Sequence, residues 1–166
     1  MTDATAIDIR NIPFTTADGN EASLADYDGR VLLIVNVASR CGLAPQYEQL
    51  EQLQKTYGPR GFDVLAFPSN QFLQELSKME DVLEYCSTTW GVTFPVFDKV
   101  RVNGKKAAPL YSELTKAADA DGRAGRVEWN FEKFLVLPNG DVARFRPKVK
   151  PDDEQIVSLI EANLPR

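Results

Sequence analysis

Hydrophobic runs of two lengths and periods alternate along the chain. Val31-Leu32-Leu33-Ile34-Val35-Asn36-Val37-Ala38 is β-branched or aliphatic at nearly every position until the apolar character stops at Ser39, which predicts a strand covered on both faces of a sheet. Phe62-Asp63-Val64-Leu65-Ala66-Phe67-Pro68 predicts a second core strand. Pro45 followed by Tyr47, Leu50, Leu53 and Tyr57 reads as an amphipathic helix between them. Met79, Val82, Leu83 and Cys86 fall at helical spacing and predict a helix from Met79 to about Trp90, with these four residues on its apolar stripe. Ile7, Ile9, Ile12 and Phe14 suggest a short N-terminal strand over 7–14, followed by a turn at Asp18-Gly19-Asn20. A further strand or extended segment is expected over 92–100, a turn at Asn103-Gly104, and a helix from Pro109 to about Ala118 with Leu110 and Leu114 inward. Phe131 to Leu137 and Val142 to Phe145 form a predicted hairpin around Pro138-Asn139-Gly140-Asp141. A last helix follows Pro151, capped by Asp152 or Asp153, with Ile156, Leu159 and Ile160 buried. The order β-α-β-α-β-α-β-β-α predicts an α/β fold with a mixed central sheet flanked by helices.

Composition narrows the function classes. The 166 residues suit a single domain spanning 1–166, and 43% hydrophobic with 26% charged residues is ordinary for a water-soluble protein. A net charge of −5 without a long basic stretch argues against nucleic-acid binding. No apolar run approaches the roughly 18 residues needed to span a membrane, so no stable membrane association is expected. The first residues, Met1-Thr2-Asp3-Ala4-Thr5, do not read as a secretion signal, and a cytoplasmic location is the default expectation. Histidine is absent, which removes Ser-His-Asp and Cys-His catalysis and most zinc sites. No metal or other cofactor is implied.

The two cysteines are Cys41 and Cys86. They form no CxxC motif. Cys41 lies where the first core strand gives way to a helix, beside Arg40, near the positive end of a helix dipole. That position favours the reactive thiolate, against the alternative of an inert buried cysteine. Two more segments follow strand ends or precede a strand. Phe67-Pro68-Ser69-Asn70-Gln71-Phe72 places Gln71 where it can aim an amide at Cys41, since ligands bind at the carboxyl ends of parallel strands. Trp129-Asn130-Phe131 offers an indole N–H and a second amide. Neutral donors of this kind hold a thiolate charged without histidine and can orient a peroxide. Taken singly, each of these residues is more often a turn former, a core side chain or a surface staple than a catalytic group.

Taken together, Asn36-Val37-Ala38-Ser39-Arg40-Cys41-Gly42, Phe67-Pro68-Ser69-Asn70-Gln71-Phe72 and Trp129-Asn130-Phe131-Glu132-Lys133-Phe134-Leu135-Val136 resemble, in order and spacing, the three signature stretches of the glutathione peroxidase family. The resemblance covers nearly the whole chain. It implies a thioredoxin-like fold with an extra N-terminal β segment, and an enzyme that reduces hydroperoxides. It implies Cys41 as peroxidatic thiol, with Gln71, Trp129 and Asn130 completing a tetrad. Thr93-Phe94-Pro95 resembles the segment carrying the cis-proline of such folds, so Pro95 is a candidate cis residue.

The stretch Glu84-Tyr85-Cys86-Ser87-Thr88-Thr89-Trp90 resembles the thioredoxin-dependent, two-cysteine branch of the family. There Cys86 would resolve oxidised Cys41 as a disulfide, recycled by thioredoxin as partner. A disulfide needs Cα atoms about 4.4–6.8 Å apart, so a helical Cys86 requires partial unwinding. Ser87-Thr88-Thr89, poor helix formers, would ease it. Three departures from the family pattern lie outside the tetrad: Ala44 in place of Thr, Ser69 in place of Cys, and Gln74-Glu75-Leu76-Ser77 where Gln-Glu-Pro-Gly is common. The short connection from Ala118 to Glu128 resembles members lacking the loop of tetrameric, glutathione-using relatives. It implies a monomer with an open site that admits lipid hydroperoxides. The alternatives are a glutathione-dependent one-cysteine peroxidase with a structural Cys86, and a peroxide sensor that relays oxidation to a partner protein.

Overall fold

A computed structural model describes residues 8–166. A two-stranded ribbon comes first, β1 (Phe14–Thr15) antiparallel to β2 (Glu21–Ala22), joined through the expected turn at Asp18 to Asn20. The central elements follow as β3 (Val31–Val37), α1 (Gln46–Tyr57), β4 (Phe62–Pro68), α2 (Met79–Trp90), α3 (Pro109–Leu114), β5 (Lys133–Val136), β6 (Val142–Phe145) and α4 (Glu154–Asn163). The main sheet is mixed, in the order β4-β3-β5-β6. β3 and β4 run parallel, in register from Val31 opposite Phe62 to Val37 opposite Pro68. A parallel pair needs a crossover, and α1 supplies it. β5 and β6 form an antiparallel hairpin attached to the other side of β3.

The aliphatic run of β3 is explained by cover on both faces. Val31, Leu33, Val35 and Val37 pack with Tyr47, Leu50 and Leu53 of α1, Val82 and Cys86 of α2, and Ile156 and Ile160 of α4. Leu32 and Ile34 face the opposite layer, with Phe14, Leu65, Phe67, Leu110, Tyr111, Leu114 and Phe134. Burying one such aliphatic side chain contributes about 1.5–3 kcal/mol. Cys41 and Cys86 belong to the same layer, the one roofed by α1, α2 and α4.

Several expectations are corrected. Ile9–Asn11 is a 3-10 turn, capped by the Asp8 carboxylate accepting the Arg10 N–H, and only Phe14–Thr15 of the predicted 7–14 strand is extended. Ile7 lies outside the described residues. The segment 92–100 makes isolated bridges, Val96 with Ala66 and Phe97 with Thr16, rather than a strand. The third helix stops at Leu114, where the Thr115 hydroxyl donates to the Tyr111 carbonyl. β5 begins at Lys133 rather than Phe131 because Phe131 takes a left-handed φ of 64°, incompatible with a strand. The Phe94–Pro95 peptide is trans, as are all peptides among the described residues. Leu83, placed on the apolar stripe of α2, is 38% exposed, and Leu159 of α4 is only partly buried.

Candidate active site

The loop after β3 builds the site. β3 ends at Val37, whose carbonyl accepts the Ser69 N–H from the loop after β4. Ser39 donates its N–H and its hydroxyl to Glu75 Oε1, at 3.0 and 2.5 Å. Arg40 donates its N–H to the Gln74 carbonyl at 2.8 Å. Cys41 follows, 6% exposed and not in a disulfide. Its carbonyl accepts the Ala44 N–H, closing a turn that leads through Pro45 into α1. In that turn the Leu43 N–H points at Cys41 Sγ, 3.3 Å away. A backbone N–H that precedes a helix and points at a sulfur favours negative charge there.

Trp129 and Asn130 are delivered by a tight turn before β5. Asn36, fully buried in β3, holds that turn from three directions. Its Nδ2 donates to the Trp129 carbonyl at 3.0 Å, its Oδ1 accepts the Glu132 N–H at 3.1 Å, and its main-chain carbonyl accepts the Phe131 N–H at 2.6 Å. Asn130 is fully buried. Its Nδ2 donates to Gln74 Oε1 at 3.1 Å, and its Oδ1 has no partner among the described residues. Trp129 is 37% exposed, with its ring 5.0 Å from that of Phe72. Trp129 and Leu43 line one open groove of about 540 Å³ together with Glu128, Arg146, Pro147 and Lys148. The Cys41 turn and Trp129 are therefore neighbours.

Gln71 is engaged by a neighbouring loop. Its Oε1 accepts the N–H groups of Val102 and Asn103, and its Nε2 donates to the Asn103 carbonyl. Both ends of the carboxamide are thus engaged by the 102–103 loop. It lines a separate groove with Asn70, Leu73, Lys99, Val100 and Arg101. The side chain that reaches Asn130 is Gln74. Gln74, Glu75 and Asn36 are site residues that sequence reasoning missed as such. Their one available signal was position, since Asn36 opens the Cys41 stretch and Gln74-Glu75 begins three residues after Gln71.

Cys86 lies in the same layer, on α2, and is 2% exposed. Its thiol donates to the Tyr47 hydroxyl at 3.5 Å. Burial pushes this thiol up to about 11, with the charge of Glu75 adding to the shift and the Tyr47 hydroxyl opposing it. Burial also raises Tyr47 well above the ordinary phenol range, and raises the carboxyl of Glu75. Cys86 is therefore held as the protonated thiol around neutral pH in this state.

Below the Trp129 turn lies a charged cluster the sequence did not announce. Glu132 and Arg144 are both fully buried and paired at 2.6 Å, and Arg146 adds a contact to Glu132 at 3.1 Å. Arg144 also donates to the carbonyls of Thr115, Ala117, Gly125 and Arg126, which ties the connection before Trp129 to β6. Buried Lys133 donates to the carbonyls of Pro147 and Val149, and burial lowers its amine to about 7. Among the described residues no cluster of three potential metal ligands occurs. No described helix is long and apolar enough to cross a membrane.

The family model described as glutathione peroxidase matches residues 9–115, well over half of the chain. This chain belongs to the glutathione peroxidase family. It is 48% identical to the Thioredoxin/glutathione peroxidase BtuE of Escherichia coli over 89% of this chain and 92% of that protein. Among solved structures, T. cruzi GPX1 superposes with a TM-score of 0.74 at 32% identity, covering 93% of this chain and 97% of the other. A thioredoxin-family thiol:disulfide interchange protein from Chlorobium tepidum shares the fold at 22% identity, with a TM-score of 0.62, covering 96% of this chain and 99% of that one. The fold is thus thioredoxin-like, and the enzyme is a glutathione peroxidase-like hydroperoxide reductase.

Proposed function

We propose that this peroxidase works through two cysteines and is recycled by thioredoxin. The observation that carries the reading is the Cys41 turn. A thiol at a strand end faces a backbone N–H, and the loop that carries it is linked through Gln74 to a buried carboxamide, Asn130. Cys41 thiolate attacks one oxygen of the hydroperoxide. The O–O bond breaks, the leaving oxygen takes up a proton and departs as water or alcohol, and the sulfur becomes a sulfenic acid. Asn130 and the indole of Trp129 orient the peroxide. Gln71 joins them only if its carboxamide leaves the 102–103 loop. The Cys86 thiol then condenses with the sulfenic acid, forming the Cys41–Cys86 disulfide and releasing water. Reduced thioredoxin returns both thiols by exchange and leaves oxidised. The name of the E. coli relative, which pairs thioredoxin with glutathione, supports this reductant. The exposed groove beside Trp129 and Leu43 supports bulky organic and lipid hydroperoxides as substrates alongside hydrogen peroxide. A cytoplasmic monomer, one domain over 1–166, completes the reading and fits a role in the response to oxidative stress.

The burial of Cys86 favours a second reading, in which it is structural and glutathione reduces Cys41 directly. Steady-state turnover separates the two. Under the proposal, Cys41→Ser abolishes peroxidase activity, and Cys86→Ser loses turnover with thioredoxin. Retention of thioredoxin-driven turnover by Cys86→Ser refutes the two-cysteine cycle. A third reading, a sensor passing its oxidation to another protein, predicts slow turnover with every reductant.

A further inference from the structure

Gln74 makes contacts that no role described so far uses. Its main-chain carbonyl accepts the Arg40 N–H, one residue before Cys41. Its side-chain Oε1 accepts Asn130 Nδ2. The next residue, Glu75, takes the N–H and hydroxyl of Ser39. Residues 74–75 therefore grip the loop entering Cys41, and the Gln74 side chain extends that grip to Asn130. From the other side, Asn36 fixes the backbone around Asn130 with three hydrogen bonds, and Phe131 is held at a left-handed φ of 64°. Non-glycine residues adopt that conformation at a cost and persist in it where the surroundings impose it.

These contacts decide which end of the Asn130 carboxamide is free. With Nδ2 held by Gln74, the open end is Oδ1, a fully buried acceptor with no partner among the described residues. A buried acceptor without a partner is costly, and its natural complement is an O–H or S–H group entering the site. A hydroperoxide brings an O–H, and the Cys41 thiol carries an S–H.

We infer that Gln74 is a positioning residue for peroxide reduction, holding the Asn130 carboxamide so that its oxygen receives the hydroperoxide O–H beside Cys41. The inference rests on the role proposed for Asn130. Gln74 acts through Asn130 and need not touch the substrate. The geometry also separates the two glutamines of the loop. Gln71 braces residues 102–103, whereas Gln74 links the peroxidatic loop to the asparagine.

The test is the second-order rate constant for Cys41 oxidation by hydrogen peroxide in a single turnover, followed by tryptophan fluorescence without reductant. Gln74→Met keeps the side-chain volume and the main-chain carbonyl to Arg40 but removes the acceptor. Gln74→Glu keeps an acceptor oxygen. Gln74→Met should slow the reaction about ten- to a hundred-fold, the scale of a misplaced reacting group. Gln74→Glu should stay close to the wild-type rate, a rescue that simple packing does not predict. The double variant Gln74→Met/Asn130→Ala should be no slower than Asn130→Ala alone. Circular dichroism and thermal unfolding of each variant report whether the fold is kept. The inference is overturned if Asn130→Ala collapses the rate while Gln74→Met leaves it unchanged, or if Gln74→Glu is as slow as Gln74→Met. If Asn130→Ala itself leaves the rate unchanged, the proposed role of Asn130 has failed, and the inference falls with it.

Discussion

Loosening α2 should speed disulfide formation, and the structure sets the size and pH dependence of the effect. Cys86 sits in the middle of α2, buried, donating to Tyr47, with its thiol at about 11 instead of the ordinary 9.0. Two pH units correspond to about a hundred-fold difference in thiolate at neutral pH. If Cys86 attacks only after its helix turn opens, it attacks as an ordinary solvent-exposed thiol. Glu84 and Ser87 are exposed on α2, so Glu84→Gly with Ser87→Gly weakens the helix without touching the core. Each substitution costs the helix about 0.5 kcal/mol, and together they raise the open population about five-fold. The assay is the second, peroxide-independent phase of tryptophan fluorescence after mixing reduced protein with excess peroxide. That phase should accelerate about five-fold in the double variant, by the same helix-propensity arithmetic. In the wild type it should rise with pH and level off near 9.0, the value of a released thiol, since the open state supplies the nucleophile. A rate that keeps climbing towards pH 11 would mean that the buried thiol reacts in place. An unchanged rate in the double variant, or amide exchange over residues 80–90 that is identical in reduced and oxidised protein, would refute the opening step.

Three further outcomes follow from the same geometry. Glu132→Ala leaves Arg144 buried without its carboxylate and should destabilise the protein by about 3–5 kcal/mol in urea unfolding; a loss under about 1 kcal/mol would show that the backbone carbonyls around Arg144 suffice. Lys133 titrates at about 7 in the folded protein against 10.5 ordinarily, so between these values the unfolded chain holds a proton the folded one lacks. Stability therefore rises with pH through that window on account of Lys133, and urea midpoints between pH 7 and 9 should rise less steeply in Lys133→Met than in wild type; parallel curves would contradict this. Leu73 is 85% exposed with a φ of 61°, so Leu73→Asn, which tolerates this conformation, should raise the thermal midpoint by a stabilisation of about 0.5–1 kcal/mol, and a fall would argue against strain there.

The elements most legible in the sequence were those with an uninterrupted period. Phe62–Pro68 matches its predicted bounds and Val31–Val37 ends one residue short of the apolar run, because both strands are buried on two faces and need apolar residues throughout. Met79–Trp90 matches too, although Leu83 is exposed, since i, i+3, i+4 spacing defines a stripe wider than the face α2 buries. Local hydrogen bonding misled the reading at the N-terminus, where Asp8 caps a 3-10 turn inside an isoleucine pattern that resembles a strand. Phe131 reads as strand by composition, but Asn36 holds it in a left-handed turn from ninety-five positions earlier in the chain, which no local window reveals. The chemistry was legible in part. Cys41 stood out at the strand end and Asn130 in its block, but no pattern in the sequence pointed to the Gln74 side chain that reaches Asn130. Polar loop residues carry no period, and only the fold determines which amide faces which. The burial of Lys133, Glu132 and Arg144 was hidden for the same reason, since charged residues read as solvent-facing until partners appear from distant segments.

The most direct test of the two-cysteine cycle is the intact mass of the fully reduced protein after one equivalent of hydrogen peroxide, without added thiol. The account predicts a loss of about 2 Da, one disulfide formed through a sulfenic acid, with Cys41 and Cys86 joined in the peptide map. A gain of about 16 Da, a sulfenic acid on Cys41 that Cys86 does not resolve, would contradict it.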